Sequence, residues 1–488
     1  MEEELLPQAP VDPSRDVEGK FLHYQSPLSS GYSSREMSYN FSDHNRFITW
    51  RKLWVYLAKA QRQMGLPIRS VQIHDMERNV ENLLNDSLKE LGPLRFDVNA
   101  HAHAFGAVCP RAAPIINLGA APNFITENTD IMLMKEAFNI IIPKLGRCLA
   151  QMTSFADSYK DFPTLGFLHF KPSQLTTVGK RAACWMYDLY TSLKVLDETA
   201  SEIDFFGIKD ISGSQDNTLT LFNGNKEKVQ KLEMLVTKMA GFDRCYLVCG
   251  QSYPRIVDYD CISALARLGS VISKITLDIR LLSHLQELEE MPDKTNTMLP
   301  RAILYKHNPI YSERCASLSR YLINLVSNPL DVASNQWLER TYDDSANRSI
   351  TIPEAFLAAD TLLNTFQNIL DCLVVNLKLI DKHVNAELPL LVSDHILAAM
   401  VQQGSDARDC YQHLREVIQQ AVAEIAMEGG QNSMEERIMK NPYFAPISEQ
   451  LPSILLANNY IGLAADQVTE FLDSVRHELS VYATGELS

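Results

Sequence analysis

Glycine and proline are both few in this chain, 20 and 22 in 488 residues, where average usage would give roughly 34 glycines at about 7%. Few turn-formers in a long chain mean long uninterrupted elements, which favours helices over many short strands. Long hydrophobic runs are missing too. No stretch of about 18 consecutive apolar residues exists, so the sequence offers no transmembrane segment and no membrane partner is expected. Positive charge is the minority sign, with a formal net charge of -15. A nucleic-acid surface normally needs a basic patch or stripe, so nucleic acid is excluded as a partner. The opening "MEEELLPQAPVDPSRDVEGK" lacks the basic start and apolar core of a signal peptide and reads as a disordered leader over residues 1–20. Nine cysteines are scattered, and only Cys245 and Cys249 lie close together. A single C-x-x-x-C is a weak metal signal, and free thiols in a reducing cytosol explain it better. The chain is expected in the cytoplasm, with no metal and no cofactor.

What is present is helical pattern. "NRFITWRKLWVYLAKAQRQMG" carries aromatic and aliphatic residues at three- and four-residue spacing, and Gly65-Leu66-Pro67 should end it. From about residue 125, "NTDIMLMKEAFNIIIPKLGRCLAQMTSFADSYKD" is apolar almost all round, with Pro143 expected to kink it rather than stop it. A second run, Ile256 to Met291, sets Leu265, Leu268, Ile272, Ile275, Ile279, Leu282 and Leu285 on one stripe. At 1.5 Å per residue its length is about 54 Å. A third is expected to begin at Pro353, a favoured first-turn position, and to continue past Ile380. Such helices suit an elongated bundle whose leftover apolar faces are covered by other subunits. The expected organisation is an all-α chain: an N-terminal helical domain at 21–121, a central long-helix bundle at 122–374 and a smaller helical domain at 375–488.

Four polar clusters interrupt the helices. "PLRFDVNAHAHAFG" holds Arg95, Asp97, His101 and His103. Histidines at i and i+2 do not share a helix face, so a structural role suits them better than a metal pair. "FPTLGFLHFKPSQLTTVGKR" places His169 between Leu168 and Phe170, an apolar setting that tunes an imidazole toward proton transfer near neutral pH. "YKHNPIYSERC" supplies Lys306, Asn308 and Arg314. "QWLERTYDDSANRSITIPEAF" sets Arg340, Ser345, Asn347 and Arg348 before a helix. There Asp343, Asp344 and Ser345 serve as a helix cap, or the arginines and hydroxyl form an anion site. Together the clusters supply donors for a ligand with several negative charges.

The stretches "TLGFLHFKPSQLTTVGKR", "GQSYPRIVD", "YKHNPIYSERC" and "ERTYDDSANR" closely resemble adenylosuccinate lyase, of the fumarase/aspartase superfamily, over about Tyr24 to the C-terminus. The resemblance implies a three-domain all-α fold, a homotetramer with a helical core, and active sites shared among three subunits. The implied reaction removes fumarate from adenylosuccinate to give AMP, and from the related succinyl-carboxamide ribotide. It implies a purine nucleotide as ligand. By position, His169 matches the family's general acid, and Lys306 and Asn308 match the lysine and asparagine of its signature loop. Tyr32, Arg95, Asp97, Gln251, Arg314, Arg340, Ser345 and Arg348 match substrate-binding positions.

Several positions depart from the family pattern. Its signature loop reads roughly Gly-Ser-Ser-x-Met-Pro-x-Lys-x-Asn-Pro, and a serine there is the base. Here Leu299 stands for the glycine, and Pro300 and Arg301 for the serines. Proline has no ionisable side chain, and arginine stays protonated, so the base position is lost. The family's Arg-Tyr becomes Gly31-Tyr32, its Arg-His-Asp becomes Arg95-Phe96-Asp97, its Thr-Ser pair becomes Ala121-Pro122, and the threonine before the acid histidine becomes Leu168. Loss of a general base costs about 10²–10⁴ in rate. Each lost hydrogen bond to a charged group costs roughly 1.5–3 kcal/mol more. The sequence therefore points to an impaired or inactive lyase. The alternatives are an active enzyme with a substitute base, for which His307 is the candidate, and a non-catalytic subunit in mixed tetramers with an intact paralogue.

Overall fold

The computed structural model describes residues 24–83, 96–291 and 308–483. The expected leader at 1–20 lies outside them. Eight helices position the site: α1 (Asp43–Gln63), α2 (Val98–Val108), α3 (Pro122–Ser158), α4 (Val178–Ser201), α5 (Ile256–His284), α6 (Ile310–Asn324), α7 (Asp344–Cys372) and α8 (Ala464–Ala483). Strands among the described residues form two antiparallel pairs. One is the hairpin β1 (Pro163–Leu168) with β2 (Lys171–Thr177), and the other joins β3 (Leu288–Glu290) to β4 (Leu373–Val375). The fold is all-α in character.

Local chemistry explains the helix ends. At α1 the Ser42 hydroxyl accepts from the Asn45 amide at 3.2 Å, a side-chain N-cap. Its C-terminus closes on Gly65, φ 95°, with the Leu66 amide donating to the Gln61 carbonyl and the Gly65 amide to Arg62. This is the Schellman arrangement that a left-handed glycine permits. In α3, Pro143 sits inside a helix that continues on both sides of it.

Two boundaries differ from the sequence expectation. The run expected to reach Met291 stops at His284, because Gln286 turns left-handed (φ 58°) and Glu287 donates its amide back to Leu282. The following residues then alternate between buried and half-buried as strand β3. The helix expected to begin at Pro353 begins at Asp344, with Pro353 inside it, and it ends at Cys372 rather than passing Ile380. Pro353 cannot donate to the Ser349 carbonyl, and the early turns are held instead by the buried ion pairs of Asp344 and Arg348. At the far end, pairing of β4 with β3 and the Met291 amide on the Cys372 carbonyl take the chain out of the helix.

The main core runs through α1, α3, α4, α5 and α7, where the stripe Leu265, Leu268, Ile272, Ile275, Ile279 and Leu282 is buried. A second, smaller core is formed by residues from Ile380 to Leu451 together with Leu165, Leu175 and Val178, so the hairpin packs on the C-terminal helices. Helix α8 leaves that group and buries Val468, Leu472, Val475 and Leu479 in the main core, against α3 and α4.

Gly179, at the start of α4, lies against the end of α3. A Cβ there would sit 2.3 Å from the Ala156 carbonyl oxygen and 2.5 Å from the Lys160 amide nitrogen. Backbone atoms cannot move aside as a flexible side chain would. Gly179→Ala should destabilise the chain by about 3 kcal/mol, the upper end of ordinary overpacking, read as a lowered midpoint in urea unfolding.

Candidate active site

The first turns of α1, α2, α3 and α7 converge with the segments around Ile211, Gln251 and Arg340 on a cavity of about 700 Å³. Asp97, Gln251, Arg340, Ser345 and Arg348 all line it. Five residues assigned from separate parts of the sequence thus share one wall. Asp97 also caps α2, its carboxylate accepting from the Ala100 amide at 2.7 Å. His101 is buried beside Phe47 and Trp50, with ring centroids 4.1 and 5.0 Å away, while His103 faces outward.

A charge network that sequence reading missed runs through the cavity wall, with Arg46, Glu127, Asp130, Arg340 and Arg348 on the lining and Arg255, Asp258 and Asp344 behind it. Arg255, from the turn before α5, holds Glu127 of α3 with both terminal nitrogens (2.7 and 3.0 Å) and gives its Nε to Asp344 of α7 at 2.7 Å. Arg340 stands 3.5 Å from the same two carboxylates. Arg348 donates to Asp258 at 2.6 Å, contacts Asp130 at 3.3 Å and bonds the Tyr253 hydroxyl, which itself donates to Asp258 at 2.6 Å. Arg46 completes the set, 2.7 Å from Asp130. Four arginines therefore face four carboxylates.

Each partner shifts the others. Burial opposes the charge on Arg255, but Glu127 outweighs it and holds the guanidinium more firmly protonated than usual. Burial likewise raises the Asp130 carboxyl, and Arg46 and Arg348 more than reverse this, leaving it below the ordinary carboxylate range. Burial pushes the Tyr253 hydroxyl well above a normal phenol. The helix-cap reading of Asp343, Asp344 and Ser345 is corrected here. Asp343 makes no side-chain cap, and Asp344 turns inward to Arg255. The sequence signal for this network was the polar stretch Thr126-Glu127-Asn128-Thr129-Asp130 just ahead of the apolar run of α3.

Other assigned residues lie elsewhere on the chain. His169 sits at the exposed tip of the β1–β2 hairpin with φ 52°, followed by Phe170 at 60°, the positive angles a tight two-residue turn needs. Tyr32 and Arg314 meet each other, the guanidinium 5.4 Å from the ring centre. Asn308 is exposed just before α6. Arg95, Pro300, Arg301, Lys306 and His307 fall outside the described residues. Of the departures from the family pattern, Phe96 and Pro122 line the cavity. Ala121 is the N-cap of α3 without a side-chain hydrogen bond, and Leu168 is exposed at the hairpin.

The sequence is 42% identical to the adenylosuccinate lyase of Saccharomyces cerevisiae over 455 residues, 92% of this chain and 94% of that protein. The chain belongs to the adenylosuccinate lyase family. The adenylosuccinate lyase of Schistosoma mansoni is 40% identical over 93% of this chain and 95% of its own length. Among solved structures, 3-carboxy-cis,cis-muconate lactonizing enzyme from Pseudomonas putida matches with a TM-score of 0.80 at 17% identity, over 93% of this chain and 100% of that one. Fumarate lyase from Mesorhizobium sp. BNC1 matches at 0.75 and 16%, over 90% of this chain and 98% of that one. These two show the fumarase-like fold. A scan against protein-family models gives no match.

A carboxyl whose folded pKa is depressed stabilises the fold above its unfolded value, and that contribution is lost as pH falls through the folded value. Asp130 is such a group. Wild type should exceed Asp130→Asn in stability by a constant margin from about pH 5 to 8. The margin should shrink below roughly pH 4, near the unfolded carboxyl value. Urea unfolding at stepped pH measures it.

Proposed function

We propose that this chain is an adenylosuccinate lyase homologue that keeps the nucleotide-binding cavity but performs little or no elimination on its own. The observation that carries this reading is the sequence at the signature loop, where Pro300 and Arg301 stand in place of the base serines. A β-elimination needs a base for the carbon-bound proton and an acid for the departing nitrogen. His169 remains for the second role, and neither proline nor arginine serves the first. The cavity wall supports the reading. Phe96 brings a hydrocarbon ring where the family pattern has an imidazole. Pro122 starts α3 with no N–H, behind a residue that offers no hydroxyl.

The reading includes assembly as a tetramer in the cytoplasm. The exposed His169 hairpin, with Leu168 60% and Phe170 53% exposed, supports a site completed by a neighbouring subunit. Nine free thiols support a reducing compartment. Among the described residues, no single helix is long and apolar enough to cross a membrane. The same hairpin favours a second reading, in which this chain joins mixed tetramers and lends His169 to a site whose serine loop comes from an intact paralogue.

Purified protein should convert adenylosuccinate to AMP and fumarate about 10²–10⁴-fold more slowly than an intact lyase, the range for loss of a general base. Turnover near the ordinary enzyme median of about 10 s⁻¹ would overturn the proposal. The double substitution Pro300→Ser with Arg301→Ser should raise the rate. For the mixed assembly, co-expression with an intact lyase and a pull-down on one tag should recover both chains. Recovery of only one kind of subunit removes that reading.

A further inference from the structure

The two arginines assigned to the anion site are not equivalent. Arg348 is 5% exposed and spends its donors on Asp258, Asp130 and the Tyr253 hydroxyl at short range. Its positive charge is committed inside the protein. Among the described residues Arg340 makes only the two 3.5 Å ion-pair approaches, to Glu127 and Asp344, and its Nε is buried with no hydrogen-bond partner. One guanidinium face lies over the Tyr342 ring at 5.0 Å, and the residue lines the cavity beside Ser345. An arginine has five N–H donors, and here several remain for something else.

What keeps Arg340 in this state is Arg255. Glu127 and Asp344 each carry one negative charge and lie within reach of both arginines. Arg255 takes them at 2.7 Å, in bidentate form on Glu127, and does not line the cavity. Arg340 is left as their second partner. Shorter charge-assisted bonds are the stronger ones, and the bidentate form adds geometric selectivity.

We infer that Arg255 is a positioning residue, which by saturating Glu127 and Asp344 from behind leaves the Arg340 guanidinium available to a single anionic group in the cavity. The inference rests on the proposal that the cavity still accepts a purine nucleotide, for which that group is the phosphate. Without Arg255, Arg340 is the nearest remaining partner of both carboxylates. It closes onto them, and the local charge count passes from balanced to net negative, which repels an anion.

The test uses the full chain and two variants, Arg255→Gln and Arg255→Gln combined with Glu127→Gln; the second removes one charge of each sign. The first measurement is modification by phenylglyoxal, mapped by peptide mass spectrometry, and needs no ligand. In wild type, Arg340 should react faster than Arg348 or Arg255. Its reaction should slow roughly tenfold in Arg255→Gln, the equivalent of one charge-assisted bond, and return most of the way in the double variant. Equal reactivity of Arg340 and Arg348 in wild type, or no slowing in Arg255→Gln, overturns the inference. If Arg255→Gln unfolds, Arg348 becomes reactive with it, and the double variant decides: an Arg340 there that stays as slow as Arg348 overturns the inference. The second measurement is the ratio of AMP to adenosine affinity by calorimetry. It should fall in Arg255→Gln and recover in the double variant, whereas general damage weakens both ligands alike. Absence of AMP binding by wild type refutes the nucleotide reading, while the modification result still decides the role of Arg255.

Discussion

One buried guanidinium ties the structure together at its functional end. Arg255 reaches from the turn before α5 to Glu127 on α3 and Asp344 on α7, so three long helices meet at one charge. A buried ion pair is weak evidence for net stability, since taking the charges out of water costs about as much as their attraction returns. Its effect is on geometry. Sliding any of the three helices would leave a charge in the interior without its partner, which costs about 3–5 kcal/mol. Apolar stripes tolerate small slips far better. The greasy length of the bundle holds the helices together, and the charges set where their ends stand.

That register is what makes the cavity. The starts of α1, α3 and α7 are brought level, and the side chains of their first turns face a common space. Along the wall the Arg348–Asp258–Tyr253 cluster repeats the arrangement, with Asp130 shared between Arg348 and Arg46. The polar donors that a ligand would meet are therefore positioned partly by wall carboxylates, Glu127 and Asp130, and partly by Arg255, Asp258, Tyr253 and Asp344 behind the wall. The smaller core and the hairpin hang from the opposite consideration. Leu165 and Leu175 anchor the hairpin among the C-terminal helices, and the anchoring leaves its tip, with His169, facing solvent on this chain.

Much of the fold was legible because helical periodicity is a local signal. The stripe from Leu265 to Leu282 is read directly and is buried, and Gly65 announces the end of α1. The failures are at ends decided by distant partners. Nothing near Asp344 in sequence shows that Arg255 will meet it, so Pro353 looked like the first turn of a helix that in fact starts before it. Gln286 gives no local warning of its positive φ, which carries the chain into pairing with β4. At the site, five assigned residues proved to share a cavity, because the motif preserved their identities. The carboxylates that neutralise the arginines were not read, since Glu127 and Asp130 look like part of an ordinary polar helix start until the arginines arrive from elsewhere.

The residues that hold this architecture and the residues that differ from the lyase pattern are separate sets. Arg255, Glu127, Asp344, Arg348, Asp258 and Tyr253 form the buried tie. Phe96, Pro122 and Leu168 sit on the cavity lining or at an exposed tip, and Ala121 caps α3 without a side-chain bond. Replacing a hydroxyl or imidazole at such places leaves no buried charge unpaired and opens no cavity in the core. The fold therefore has no physical reason to fail when those positions change. A chain can lose a base serine and a wall histidine one at a time and still bring the same helix ends to the same register. The reverse does not hold: loss of Arg255 or Asp344 would disturb the cavity even with every catalytic group in place.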